Sequence, residues 1–245
     1  MVALAYSAVC MRQDKMAPYL KTCGTKIAKC SSGGAGGPPD LAACADAMKV
    51  CESVTLGPLK KKKGTSIYDV RASTGKEGKF FKTNPDRSAV GFLNRRDVQT
   101  KLGVTKLGVP QAFVQSNPEV REAFNKFTAY DTTSFVVDLL DGGIEVVVVA
   151  GNYDYITNAI GNLNWMTSLK GDLTIPRLCC FHYPPSSLQY PKGGVLGTVR
   201  ALKYATTGAK IAFINVTDGG HYSDLNNPRG IQRSFFQDFL YGRLW

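Results

Sequence analysis

The sequence lacks any apolar run of about 20 residues, the length that a helix needs to cross a membrane. It therefore predicts no membrane-spanning helix. Residues 1–10 are mildly apolar, but they have no basic stretch and are short for a secretion signal. We expect any such signal to lie outside these 245 residues.

The chain also lacks the closely spaced ligand pairs that hold a metal. Zinc sites use CxxC or CxxxH pairs, whereas the cysteines of the amino-terminal region are widely spaced and no histidine lies near them. The only two histidines are His182 and His221. We expect neither a metal nor a cofactor.

Negative charge is scarce, since 30 lysines and arginines against 19 acidic residues leave a formal net charge of +11. The basic run at 60–63 is not interleaved with aromatic residues, and no nucleic-acid fold signature accompanies it. This pattern is typical of a solvated loop and does not favour nucleic acid as a partner. Acidic protein or lipid surfaces remain candidates through long-range attraction.

Cysteine is abundant only at the amino terminus. Of seven cysteines, five fall within the first 51 residues: Cys10, Cys23, Cys30, Cys44 and Cys51. This density favours disulfides and an oxidising compartment, namely the secretory pathway, a vacuole or lysosome, or the extracellular space. The odd total leaves at least one cysteine free or paired with another chain. The adjacent Cys179 and Cys180 are more typical of two buried thiols than of a strained bond.

Hydrophobic periodicity predicts an α/β fold for the second half of the chain. We expect strands at 144–150, 199–204 and 211–216. Helical patterns cover 42–54, 95–102, 118–140, 158–169 and 229–241. The length is sufficient for one sizeable core.

An acidic residue and a histidine follow two of these predicted strands. Asp154 comes directly after the apolar run that ends at Gly151, and His221 follows the second run through Gly219 and Gly220. Loops that leave one edge of a parallel sheet can meet, so we expect the carboxylate and the imidazole to be neighbours. Such a pair activates a serine hydroxyl in hydrolases. His182 has no comparable context and is interpreted as a packing or surface residue.

Several stretches resemble, in the same order, elements of the serine carboxypeptidase family. Residues 66–71 (SIYDVR) are similar to its NPYDIR segment, and 92–99 (FLNRRDVQ) to its YLN-RPDVQ element. Residues 150–156 (AGNYDYI) resemble AGD-D-IC. The spacing of Asn158, Gly161, Asn162 and Trp165 follows NWLGN--W, and Gly219-Gly220-His221 with Pro228 follows its GGH element. The resemblance covers roughly residues 40–245.

The resemblance implies an α/β-hydrolase and an exopeptidase that removes C-terminal residues from peptides at acidic pH. Asp154 would orient the imidazole, and His221 would act first as general base and then as general acid. Thr157 and Tyr222 occupy positions where the family has a pocket cysteine and a methionine, which makes them substrate-pocket candidates.

The family's nucleophile is absent from this chain. No GxSxG motif occurs in the 245 residues, because the nucleophile elbow and the oxyanion-hole glycines belong to an amino-terminal half that the resemblance does not include. In addition, Asn152 replaces the first acid of the AGD-D element, and Asn226 replaces an aspartate.

These observations predict a partial α/β-hydrolase: residues 1–65 form a cysteine-rich, helical, cap-like segment with a basic loop, and residues 66–245 form the carboxyl-terminal half of the hydrolase. Three functions fit it. The chain could supply the acid and histidine of a carboxypeptidase whose serine lies on a missing or partner segment that completes the sheet. It could instead be a non-catalytic scaffold or assembly subunit, or a family acyltransferase.

Overall fold

The computed structural model describes residues 13–31, 38–57, 64–73, 85–107, 112–169, 186–189, 195–204, 207–223 and 231–243. Several predicted features lie outside the described residues: the basic run at 60–63, Cys10, Cys179, Cys180, His182, Asn226 and Pro228.

Eight α-helices occur in the described ranges: α1 (Gln13–Cys30), α2 (Leu41–Thr55), α3 (Pro85–Leu93), α4 (Arg96–Lys101), α5 (Pro118–Thr128), α6 (Thr133–Asp141), α7 (Ala159–Thr167) and α8 (Ile231–Leu240). A short 3₁₀ helix spans Val104–Leu107. No helix in these ranges is both long and apolar enough to cross a membrane.

Helices α1 and α2 form a hairpin that two disulfides close. Cys23 bonds to Cys51 and Cys30 bonds to Cys44, so each bond ties one helix to the other. Asp40 starts α2 because its side chain accepts hydrogen bonds from the first backbone N–H groups of that helix, a standard N-cap arrangement. The prediction of disulfides among the amino-terminal cysteines is therefore confirmed.

The helical pattern at 118–140 is two helices, so the prediction of one continuous stretch is wrong. Helix α5 ends at Thr128, and α6 begins at Thr133. Between them, the Asp131 carboxylate accepts hydrogen bonds from the backbone N–H and the hydroxyl of Thr133, at 3.0 and 2.8 Å. Aspartate competes in this way for backbone donors, and the local turn interrupts the helix.

The strands β1 (Val146–Gly151), β2 (Ser186–Gln189), β3 (Val195–Lys203) and β4 (Lys210–Val216) form one sheet in the order β1-β4-β3-β2. Strands β1 and β4 are parallel, from Val146 opposite Ile211 to Gly151 opposite Val216. Strands β3 and β2 run antiparallel to their neighbours, so the described sheet is mixed and not purely parallel.

Strand β3 begins four residues earlier than the predicted start at 199, and β2 was not predicted. The extension contains Gly197, and glycine is a weak strand former. A side chain at this position would overlap the carbonyl oxygen of Asn215 on β4. The close approach of the two strands therefore requires glycine. Because glycine is a weak strand former, residue propensities did not predict this part of β3.

Each face of the sheet carries its own apolar core. On one face, Ile211 and Phe213 of β4 pack with Leu140 of α6 and Met166 of α7. The opposite face buries a second cluster that includes Phe239 of α8 as a partly buried member. Helices on both sides of a sheet give the α/β layering that the sequence predicts.

Candidate active site

The two parallel strands end at the same edge of the sheet and bring two loops together. The acid loop begins after Gly151 and the histidine loop begins after Val216. The backbone N–H of Asn152 donates to the carbonyl of Val216 at 3.1 Å, and that of Tyr153 donates to the carbonyl of Gly219 at 2.8 Å. The loops therefore continue the strand pairing beyond the sheet.

The contact between the loops leaves no space for a side chain at Gly151. A Cβ atom there would overlap the backbone of Gly219 and Gly220. The two glycines before His221 are thus part of the packing that brings histidine and acid together.

A third stretch, the bridging segment (residues 64–73), joins both loops. The carbonyl of Ile67 accepts from the backbone N–H groups of Tyr155 and Ile156 in the acid loop, at 3.2 and 3.1 Å. The carbonyl of Tyr68 accepts from the backbone N–H of His221 at 2.7 Å. This role of the bridging segment did not follow from the sequence, which showed only its motif.

Arg71 fastens the bridging segment to its surroundings. Its guanidinium donates two hydrogen bonds to the carboxylate of Asp69, at 2.9 and 2.6 Å, and a third to the carbonyl of Asp218 at 3.1 Å. The guanidinium also lies over the ring of Tyr153, 4.2 Å from its centroid. The Asp69 side chain is only 3% exposed, so this bidentate pair is largely removed from water.

Asp154 and His221 are direct neighbours, although 67 residues separate them in the sequence. Oδ2 of Asp154 lies 3.0 Å from Nδ1 of His221; the carboxylate is 3% exposed and the imidazole 31%. The hydrogen bond to Asp154 raises the pKa of His221, and partial burial opposes the effect. Because an ionised carboxylate only accepts hydrogen bonds, Nδ1 carries the proton and Nε2 is the nitrogen that can take another.

Thr157 completes the hydrogen bonding of this pair. Its hydroxyl donates to Oδ2 of Asp154, its backbone N–H donates to Oδ1 at 3.3 Å, and its hydroxyl oxygen lies 3.1 Å from Nδ1 of His221. Sequence reasoning placed Thr157 only in a substrate pocket and missed this contact. The available signal was a threonine three residues after an aspartate, a spacing at which side chains bond locally.

Two tyrosine rings flank the imidazole. The ring centroid of Tyr222 lies 5.2 Å from that of His221 in an edge-on arrangement, and that of Tyr68 lies 5.4 Å away. Both tyrosines are about 40% exposed. They form an open aromatic surface beside the histidine.

An apolar cavity of about 470 Å³ lies between the disulfide hairpin, the end of α5 and the start of α7. Its lining includes Met48, Leu56, Ile156, Thr157 and Trp165. Thr157 therefore belongs both to the wall of this cavity and to the acid–histidine pair. Within the described ranges, no group of three or more histidine, cysteine, aspartate or glutamate side chains is arranged to hold a metal.

The amino-acid sequence of the chain is similar to those of serine carboxypeptidases. The family model described as serine carboxypeptidase matches residues 2–242. Serine carboxypeptidase-like 48 of Arabidopsis thaliana is 25% identical over 239 residues, which are 94% of this chain and 41% of that protein. Carboxypeptidase Y of Schizosaccharomyces pombe is 28% identical over 161 residues, which are 64% of this chain and 15% of that protein.

A solved structure has a similar fold. The crystal structure of Kex1Δp, a prohormone-processing carboxypeptidase from Saccharomyces cerevisiae, superposes with a TM-score of 0.59 and 16% identity. The match covers 98% of this chain and 49% of that structure. The described residues thus have the fold of part of an α/β-hydrolase, and the chain spans less than half of the length of these relatives.

Proposed function

Because the chain belongs to the serine carboxypeptidase family, we propose that it supplies the acid and the histidine of a Ser-His-Asp triad that releases C-terminal residues from peptides. Asp154 is the acid and His221 the general base. The serine comes from a polypeptide segment outside these 245 residues. The single observation that supports this most is the 3.0 Å contact between Oδ2 of Asp154 and Nδ1 of His221.

The proposed reaction needs one proton acceptor, and Nε2 of His221 has that role. It takes the proton of the serine hydroxyl as the serine oxygen attacks the carbonyl carbon of the last peptide bond. The imidazolium then gives the proton to the leaving amine, and the bond between carbon and nitrogen breaks. Water, deprotonated by the same imidazole, hydrolyses the acyl-enzyme. Throughout, the Asp154 carboxylate stabilises the positive charge on His221.

Two surfaces beside the pair fit peptide side chains. The apolar cavity that Thr157 lines has the volume and character of a side-chain pocket. On the other side, Tyr222 and Tyr68 offer an aromatic surface next to the imidazole. We assign Thr157 and Tyr222 to substrate contact, with apolar residues as the preferred side chains.

The free edge of β1 supports a partner segment. β1 is the terminal strand of the described sheet, and Val146–Val149 are only half-buried although all four are β-branched. A parallel strand normally has neighbours on both sides and helices on both faces. An open edge of this kind invites pairing. We assign the serine-bearing segment to this edge, as a strand parallel to β1.

The two helices before β1 also carry exposed aromatic residues. Phe124 and Phe127 of α5 are exposed and in mutual contact, and Phe135 of α6 is exposed as well. No residue of α5 is buried. A cluster of exposed phenylalanines is typical of an interface, and we assign it to the same partner segment. In this arrangement, residues 1–65 act as a cap over the cavity and residues 66–245 form the hydrolase half.

The two disulfides fit an oxidising environment and thus the secretory pathway. A vacuole, a lysosome or the extracellular space are the compartments that we propose.

The proposal is tested on the full chain, tagged and purified with its natural partners from its source. We expect release of the C-terminal residue from an N-blocked peptide, and labelling of the serine-bearing segment by a fluorescent phosphonate. The chain expressed alone is expected to be inactive because its 245 residues contain no GxSxG nucleophile motif.

Variants of the pair provide the controls. His221→Ala should abolish the release, and Asp154→Asn should reduce it by several powers of ten because the tautomer of the imidazole is lost. Asp46→Asn, an exposed aspartate of α2, is the matched control and should leave activity unchanged. Absence of phosphonate labelling in the native assembly would favour a non-catalytic subunit. Transfer of the acyl group to an acceptor other than water would favour an acyltransferase.

A further inference from the structure

The buried carboxylate of Asp154 receives three hydrogen bonds within the described site, and Thr157 donates two of them. One comes from the backbone N–H of Thr157 to Oδ1, and one from its hydroxyl to Oδ2. The third comes from Nδ1–H of His221, again to Oδ2. The orientation of the carboxylate therefore depends chiefly on one residue.

The direction of each hydrogen bond follows from the chemistry of the three groups. The carboxylate can only accept, so both the imidazole and the hydroxyl must direct a proton to it. The hydroxyl oxygen of Thr157 keeps its lone pairs, and it lies 3.1 Å from Nδ1 of His221. It is thus a second acceptor for the same N–H. The three groups form a closed triangle that favours the Nδ1–H tautomer.

The backbone of Thr157 is itself held in place at the start of α7. The amide of Asn162 donates to the carbonyl of Thr157 at 3.0 Å. Next to it, the buried Asn158 caps α7 by accepting from the N–H of Gly161 at 2.8 Å and donates to the carbonyl of Tyr155 at 3.2 Å. These hydrogen bonds hold the backbone of Thr157 in place at the start of α7, and so they also fix the position of its hydroxyl.

We propose that Thr157 is a positioning residue that holds the carboxylate of Asp154 in the plane where Oδ2 meets Nδ1 of His221. The effect of Thr157 on catalysis rests on the proposed function, whereas its positioning of the Asp154 carboxylate does not. Without the hydroxyl, the carboxylate is free to rotate away from the imidazole, and the interaction with His221 weakens.

Among the residues that the structure describes, the charged side chains of the bridging segment and of the histidine loop pair with one another. On the bridging segment, Asp69 pairs with Arg71, and Arg71 also reaches Asp218 on the histidine loop. On the acid loop, Asp154 is the charged group that raises the pKa of His221, first through its hydrogen bond. The pKa of His221 therefore reports how well Asp154 is positioned.

The test is an NMR titration of the His221 ring in the full chain, with His182→Gln as background so that one histidine signal remains. We expect Thr157→Val, which replaces the hydroxyl by a methyl group of similar size, to lower the pKa of His221 by about half a unit or more. It should also shift the ring nitrogen signals towards a mixture of tautomers. Thr157→Ser restores the hydroxyl and should return both readings to those of the parent.

Each result of the titration either supports or overturns the positioning role of Thr157. A pKa of His221 that is unchanged or higher in Thr157→Val would overturn the proposal, because the hydroxyl would then be a bystander or a competitor for the carboxylate. If Thr157→Val does not fold, Thr157→Cys gives the same comparison, since a thiol is a weak donor. The titration needs no serine and no substrate. The titration can therefore be interpreted even if the triad assignment is wrong. Conversely, a negative titration result leaves the triad assignment to be tested by peptide hydrolysis and phosphonate labelling.

Discussion

The backbone N–H of His221 donates to the carbonyl oxygen of Tyr68 at 2.7 Å, and so the histidine loop is attached to a segment far earlier in the chain. The neighbouring carbonyl of Ile67 holds the acid loop through Tyr155 and Ile156. Both loops are thus fixed to one support, the bridging segment. The strand ends bring the acid and the histidine to the same edge, and the bridging segment sets their final separation.

Replacing Arg71 tests this support. Arg71→Met removes the bidentate partner of a carboxylate that is 3% exposed, and breaking a buried pair from one side costs about 3 kcal/mol or more. We expect a loss of that order in the free energy of unfolding, measured by urea denaturation. The pKa of His221 should also move towards its ordinary value, because the two loops separate.

Arg95→Met is the matched control for Arg71→Met. Arg95 forms the same bidentate pair with an aspartate two residues away, at 3.0 and 2.7 Å, but Asp97 is 52% exposed. Exposed pairs contribute little to stability, because water screens the two charges and holding both side chains in one geometry costs entropy. An equal effect of the two substitutions would show that burial of Asp69 and the contact with Asp218 do not matter.

Adding a methyl group at Gly151 should separate the loops. In Gly151→Ala the new Cβ overlaps the backbone of Gly219 and Gly220, the two residues that directly precede His221. We expect a lower melting temperature, and we expect the pKa of His221 to fall towards its ordinary value. The same change at Gly91 in α3 meets open space and should be neutral or slightly stabilising, because alanine is the better helix former. A variant with unaltered stability and His221 titration would contradict the close approach.

The acid–histidine pair could be predicted from the sequence because its signals are local. Two apolar runs that end in glycines are followed at once by Asp154 and by His221. Most of the strands and helices and the disulfides follow from similar short-range patterns. The exceptions are α3 and β2, which the sequence did not predict, the break near Asp131 and the strand extension through Gly197. At the break and at the strand extension, a single side-chain contact or close approach overrides the periodicity.

The supporting contacts of the site could not be predicted in the same way. The bond from Arg71 to the carbonyl of Asp218 joins residues 147 positions apart, and no periodicity encodes it. The sequence indicates only a substrate-pocket position for Thr157. The hydrogen bond from its hydroxyl to Asp154 depends on the turn that leads into α7. Such details arise from tertiary geometry, which a single sequence does not specify.

Removing one disulfide should loosen the helical hairpin. In the double variant Cys30→Ala and Cys44→Ala, we expect a loss of about 2–4 kcal/mol in the free energy of unfolding, because the unfolded hairpin is no longer constrained. Thermal unfolding with and without reductant measures the effect. Reductant should lower the melting temperature of the parent chain further than that of the variant, which has one bond fewer to lose. A parent chain insensitive to reductant would show that the disulfides do not stabilise the fold.

The stability that His221 contributes should depend on pH in a defined direction. The hydrogen bond to Asp154 raises the pKa of His221 in the folded protein above its ordinary value of about 6.5. The contribution is therefore fully present below the unfolded pKa and is lost as the pH rises through the folded pKa. Urea denaturation of the parent and of His221→Asn between about pH 5.5 and 9, an interval that includes the ordinary histidine pKa, measures it as a difference. His182 is present in both proteins, so its contribution cancels in the difference. We expect the advantage of the parent to be largest at the acidic end and to shrink towards the basic end. An advantage that grows with pH would mean that the folded protein prefers neutral His221, and the ion pair with Asp154 would then be ruled out.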